Sequence, residues 1–107
     1  MEVRFLRAAR LRLLEIWDYT EAKWGVDQAD RYLRGLDAAI QETADARHRW
    51  RPVVDELLPE VYFVRYERHF IFFRVLSPDA IGVISVLHET MNIPMRLRED
   101  ADEQRND

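Results

Sequence analysis

The strongest constraint on the fold is a change of hydrophobic period midway along the chain. In the first part, Leu13, Ile16, Trp17, Thr20 and Trp24 stand at i, i+3, i+4, i+7 and i+11. That spacing makes one stripe of an amphipathic helix, and Arg12, Glu15, Asp18 and Glu21 fall largely outside it. Gly25 sits where a left-handed residue ends a helix at little cost. A second helix is predicted at once, with Asp27 as N-cap and Asp30 in the first turn, where the helix dipole favours negative charge. Ala29, Tyr32, Leu33, Leu36, Ile40 and Thr43 repeat the helical spacing. Gly35 interrupts them at about 1 kcal/mol relative to Ala, which reads as room for a close helix–helix approach. A link of one or two residues between long helices implies an antiparallel helical hairpin.

After Pro59 the pattern becomes that of strands. Val61–Tyr66, Phe70–Leu76 and Ile81–His88 are rich in Val, Ile, Phe and Tyr, the residues that suit a pleated surface. Glu67-Arg68-His69 is a short connection, and Ser77-Pro78-Asp79 is a turn in which Pro fixes φ and Asp bonds back to the chain. Consecutive strands joined this closely form an antiparallel meander. Val3–Leu6 reads as a first strand. Arg47–Pro59 reads as a loop, with room for one helical turn around Val53–Leu57. Met91–Leu97 is expected to add a strand-like or single-turn element. The fold class is therefore α+β, in the order β-α-α-β-β-β, with the helical hairpin packed on a small antiparallel sheet.

Of 107 residues, 48% are hydrophobic, enough for one core and too many for a disordered chain. The net charge is −4, and residues 99–107 carry all of it, five acids against Arg105. A domain over residues 1–98 followed by an acidic, disordered tail over 99–107 is expected. Within 1–98, cations and acids balance at 15 each, unlike the basic excess of a general nucleic-acid binder. The longest apolar run is about seven residues, short of a membrane span, and no signal peptide is visible, so a cytoplasmic protein is expected.

The absence of cysteine excludes disulfides, thiolate catalysis and Cys-based metal sites. His48, His69 and His88 lie about 20 residues apart with no H-x-x-x-H pair, so no metal is expected. Ser77 and Ser85 lack a nucleophile elbow. Gly25, Gly35 and Gly82 are isolated, so there is no phosphate-binding loop, and no cofactor is expected. Metal-free ribonuclease chemistry needs a base, an acid and cations around the scissile phosphate. Arg65, Tyr66, His69, Arg74, His88 and Glu89 are the candidates. Arg65 shares a face with Val61 and Phe63, and Arg74 with Phe70 and Phe72. Rim ion pairs with Glu60, Glu67 and Asp79 are the simpler reading of these arginines. Tyr62, Phe63, Tyr66, Phe70, Phe72 and Phe73 supply rings to both faces of the sheet, and one hairpin covers only one. The second face is either a docking surface for a protein partner, as exposed apolar patches usually are, or is covered by the loop and tail.

Three stretches resemble the ParE toxins. Ile16-Trp17-Asp18-Tyr19 followed by Trp24-Gly25 and Gln28-Ala29-Asp30-Arg31-Tyr32-Leu33 is similar to their helical hairpin. His69-Phe70-Ile71-Phe72-Phe73-Arg74-Val75 resembles one of their strands, and Val86-Leu87-His88-Glu89-Thr90-Met91-Asn92, closing near Arg96-Leu97, resembles their terminal signature. His69, His88, Met91 and Asn92 are the signature positions. The resemblance covers roughly residues 3–97. It departs at Ser85, where Arg is common, at Asn92 for Asp, at Glu60 for Gly, and in the lack of a small residue before His69.

Resemblance to this ParE/RelE superfamily implies a non-enzymatic toxin of a type II toxin–antitoxin system. It implies a ParD-like antitoxin with a DNA-binding N-terminal part, so that DNA is met only through a hetero-oligomer with that antitoxin. The ParE branch is associated with poisoning DNA gyrase, and the RelE branch with cleaving ribosome-bound mRNA. A ribonuclease, or a homologue that is inert or aimed at another target, is the alternative. Trp17, Tyr32, Leu36, Phe63 and Phe72 are the candidates to line or support the antitoxin groove, with Arg65 and Arg74 on its rim.

Overall fold

The computed structural model describes residues 1–105, with side chains through Asp102. Strand β1 (Glu2–Phe5) leads into helices α1 (Arg7–Trp24) and α2 (Val26–Ala44). Gly25 alone links the helices, at φ 92°, a region where a side chain would be strained. It also takes the N-cap position expected of Asp27, which lies instead in the first turn of α2. A single 3-10 turn, Arg47–Arg49, precedes the two-residue strand β2 (Arg51–Pro52). Then come β3 (Tyr62–Tyr66), β4 (His69–Ser77), β5 (Ala80–His88) and helix α3 (Ile93–Arg105).

The sheet order is β1-β5-β4-β3-β2. Strands β2 to β5 are antiparallel, while β1 runs parallel to β5, Glu2 opposite Ala80 and Phe5 opposite Val83. The sheet is thus mixed rather than wholly antiparallel. Parallel neighbours require a long crossover, and the hairpin with all of β2 to β4 supplies one. β2 was expected to be loop. Its two residues still pair with Tyr62 and Phe63.

Alternation divides the strand side chains between two cores. Toward the hairpin, Val64, Ile71, Phe73, Ile81, Val83 and Val86 pack against Ile16, Leu36 and Ile40. On the opposite face, Val61, Phe72, Ile84 and Leu87 meet Leu58, Leu97 and Ala101. This second face is covered by the chain's own loop and α3, so the reading of it as a wholly exposed docking face is corrected.

The expected disorder from Glu99 is corrected as well, because α3 continues through Arg105 and buries Leu97, Asp100 and Ala101. An i, i+3, i+4 anchor among charges is easily read as a solvated tail. One of those acids is neutralised by Arg12 of α1, at 2.9 Å. Residues 106–107 of that expected tail lie outside the described residues. No helix of the described residues is long and apolar enough to cross a membrane.

Candidate functional site

Strand β1 ends opposite Val83 while β5 runs on to His88, and the last two turns of α1 line a cleft at this end of the molecule. The cleft measures about 840 Å³. Its walls are Ile16, Tyr19, Thr20, Lys23 and Trp24 of α1, Gln28 and Tyr32 of α2, the Glu67-Arg68 turn, and Val86, His88, Thr90 and Met91. His69 lies in its floor. Trp24, expected in the buried stripe, is 62% exposed. Its neighbour Tyr19 is 58% exposed, and the Lys23 ammonium stands 5.2 Å from both rings.

The floor is a hydrogen-bonded aromatic cluster. The Tyr32 hydroxyl and His69 Nδ1 share a hydrogen bond at 2.6 Å. Burial, reinforced by the neighbouring Tyr66 and Glu67, pushes the Tyr32 hydroxyl up to about 12, so it keeps its proton. Burial first, and then His88, lowers His69 to about 4 against a weak opposing pull from Glu89. His69 is therefore neutral at pH 7. His88 meets His69 edge-on at 5.1 Å. Its own Nδ1 faces the Thr90 N–H at 3.1 Å and hydroxyl at 2.7 Å. Glu89 is held between Arg65 and Arg68.

On the α3 side of the sheet a smaller apolar groove, about 240 Å³, runs between Val53, Phe63, Phe70, Phe72, Ile93 and Leu97. Val54 stands beside it almost fully exposed, at 98%. The guanidinium of Arg65 lies 5.4 Å from the Phe70 ring at one end.

The residues singled out in the sequence are thus partitioned. The cleft gathers Tyr32, His69, His88 and Met91, and the groove takes Phe63, Phe72 and, at its end, Arg65. Leu36 is fully buried and Phe72 nearly so, so each supports a surface from within the core. Trp17 is half-buried, its indole N–H donating to Asp30 at 2.9 Å across the hairpin. Arg74 is half-buried opposite Gly82, and its Nε is buried with no hydrogen-bond partner among the described residues. Asn92 caps α3: its side-chain oxygen faces the Met95 N–H and its carbonyl accepts from Arg96.

Of the six strand candidates for ribonuclease chemistry, Tyr66, His69, His88, Arg65 and Glu89 gather at one end of β3 to β5, while Arg74 stands apart. Tyr66 turns into the hairpin core beside Tyr32, and Arg65 and Glu89 neutralise each other. Arg74 lies five residues along β4 from His69, roughly 16 Å at strand rise. A histidine lowered to about 4 is poorly matched to general-base work near neutrality. Among the described residues no group of three or more His, Asp or Glu could hold a metal ion. What the sequence reading missed is the exposed Tyr19-Lys23-Trp24 edge. Its helical spacing matches that of a core stripe, and only its exposure in the fold tells the two apart.

A helical hairpin on one face of a mixed five-stranded sheet is the α+β architecture of RelE- and ParE-like proteins. The solved chromosomal ParDE toxin–antitoxin system of P. aeruginosa shares it at a TM-score of 0.69, with 18% identity over 82% of this chain and 95% of the matched one. The toxin–antitoxin complex RelBE2 of Mycobacterium tuberculosis shares it at 0.53, with 22% identity over 81% and 95%. The chain belongs to the family of ParE toxins of the type II toxin–antitoxin system parDE, whose model matches residues 3–93. Toxin ParE1 of Mycobacterium tuberculosis is 41% identical over 90 residues, 84% of this chain and 91% of that relative.

Proposed function

We propose that this ParE-family toxin acts on DNA gyrase without chemistry of its own and is neutralised by a ParD-like antitoxin docked along the cleft and groove. The observation that carries the reading is family membership across the sheet and hairpin, residues 3–93. Two surfaces suited to protein contact add to it: the Tyr19-Trp24 edge and the Phe63-Phe70 groove. Aromatic side chains framed by arginines are the usual material of interface hot spots. The charge balance of residues 1–98, the complete burial of Ser85 and the lowered pKa of His69 weigh against a ribosome-directed nuclease. In the cell, DNA contact belongs to the antitoxin within the hetero-oligomer.

The test is growth with the chain expressed alone and together with the antitoxin encoded beside it. Arrest by the chain alone, relieved by co-expression, supports the reading. Unaffected growth with the folded chain present contradicts it. Arg65 and Arg74 are assigned to the rim of the antitoxin site. Arg65→Glu and Arg74→Glu are expected to weaken the toxin–antitoxin complex about tenfold each, measured by calorimetry. Unaltered affinity in both removes these residues from the interface.

A further inference from the structure

One stretch enters neither the cleft nor the groove: Arg47-His48-Arg49-Trp50-Arg51, the 3-10 turn and the start of β2. Residues 1–98 balance in charge overall, yet from Ala46 to Val54 three arginines stand against no acid. The acids that bracket the stretch are already engaged. Asp45 pairs with the Met1 ammonium at 2.6 Å, and Asp55 with Arg98 at 2.9 Å. Arg47, His48, Arg49 and Arg51 are exposed. Among the described residues none of these three arginines makes an ion pair, whereas Arg12, Arg65, Arg68 and Arg98 are each held by a carboxylate.

Trp50 anchors the turn. Its indole N–H donates to the Thr43 carbonyl at 2.7 Å, and its ring packs on Phe73 and Tyr62, with centroids 4.9 and 5.5 Å away. The Arg49 and Trp50 amides close the turn on the Ala46 and Arg47 carbonyls, at 2.9 and 3.1 Å. The backbone at Trp50 is extended, so Arg49 and Arg51 project to the side opposite the indole. The Arg47 guanidinium stands 5.2 Å from the indole ring, a contact that orders a guanidinium and leaves N–H groups for a ligand. Side chains ordered in advance lose less entropy on binding.

Edge protection accounts for part of this pattern. A charge and a proline on an edge strand block further pairing, which suits Arg51 and Pro52. Arg47 and Arg49 precede the strand, and a strand of two residues offers little edge to protect. Clustered, unpaired arginines that present their forks to solvent are the material of phosphate recognition.

We propose that Arg47, Arg49 and Arg51 form a contact site for duplex DNA that grips the phosphate backbone without reading its sequence. The antitoxin's DNA contact belongs to the hetero-oligomer; this one belongs to the toxin itself. It rests on the gyrase reading only for its setting, because a protein that acts on gyrase works beside the DNA that gyrase holds. Three phosphate contacts give an affinity that falls with salt at a log–log slope of about −2.7, or about 40-fold between ~50 and ~200 mM.

The test is fluorescence anisotropy of the purified full chain with a short labelled DNA duplex of arbitrary sequence. Binding with that salt dependence is expected. The triple change Arg47→Ala, Arg49→Ala and Arg51→Ala should weaken it at least about tenfold at low salt and flatten the slope, while Lys at all three positions keeps the slope. The same charge removed elsewhere, by Arg4→Ala, Arg31→Ala and Arg34→Ala, should leave binding within about twofold. A folded triple-alanine chain that binds DNA as wild type does overturns the inference. So does tighter binding of an RNA duplex of the same sequence, or displacement of the DNA by polyglutamate at equal charge, which would make the ridge an acidic-peptide site. Any of these beside antitoxin-relieved growth arrest removes the ridge and leaves the toxin reading standing. Ridge-dependent DNA binding by a chain that leaves growth unaffected does the reverse.

Discussion

Glu60 stands at φ 60° immediately before β3, in the left-handed region that costs a side chain about 1–2 kcal/mol. Glu60→Gly is expected to leave stability unchanged or raise it by about 1 kcal/mol, and Glu60→Val to lower it by at least as much. Urea unfolding measures both. Gly35 is constrained from outside its helix. A Cβ there would stand 2.1 Å from the Tyr66 hydroxyl oxygen, so the close approach is to a strand residue and not, as the helical pattern suggested, to the other helix. Gly35→Ala should cost about 1–2 kcal/mol, overpacking outweighing the helix-propensity gain. In a Tyr66→Phe background the cost should fall toward zero, which a double-mutant cycle reads as coupling.

His69 makes stability depend on pH. Its pKa, about 4 when folded, lies below the ordinary 6.5, so the unfolded chain binds more protons between those values. The contribution is complete above pH 6.5 and is lost as pH falls toward 4, at about 1.4 kcal/mol per unit of separation. Thermal unfolding from pH 7 to 4 should show wild type losing more stability than His69→Gln. Equal slopes contradict the assignment.

At the scale of elements, the two hairpin helices and the long strands were legible because each repeats one spacing many times. The hairpin and β3 to β5 follow directly from side chains that alternate or recur every third and fourth position. β1 was legible as a strand, but its parallel pairing was not, because pairing depends on where the crossover returns. β2 has two residues, too few for any period. Helix α3 was misread for a physical reason: its apolar anchors, Ile93, Leu97 and Ala101, are scattered among acids, and one of those acids is buried on an arginine 88 positions earlier. Asn92 starts this helix, and Asn92→Ala is expected to cost about 1 kcal/mol of local stability. Amide exchange should show that loss in α3 with β4 and β5 unaffected.

Across the whole molecule, the mapping of function onto surface was half legible. The signature histidines His69 and His88 do meet, and Tyr32 joins them, because β4 and β5 pair His69 directly opposite His88. Leu36 and Phe72 are interior, since a large apolar side chain on a periodic stripe looks the same in sequence whether it meets a partner or a core. The second sheet face was read as surplus because its cover, α3, was taken for a tail. The molecule presents an aromatic cleft edged by Lys23, Glu67 and Arg68, and an apolar groove. That surface suits contact with protein more than with the RNA backbone, and it is why inhibition of gyrase, without strand-cutting chemistry by the toxin, is the central claim.

The most direct test is gyrase supercoiling by the purified toxin, released from its antitoxin, run beside in vitro translation of a defined mRNA. The account expects supercoiling to fail or cleaved DNA to accumulate while translation proceeds and the mRNA stays whole. Normal supercoiling with cut mRNA would contradict it and return the strand arginines and histidines to catalysis.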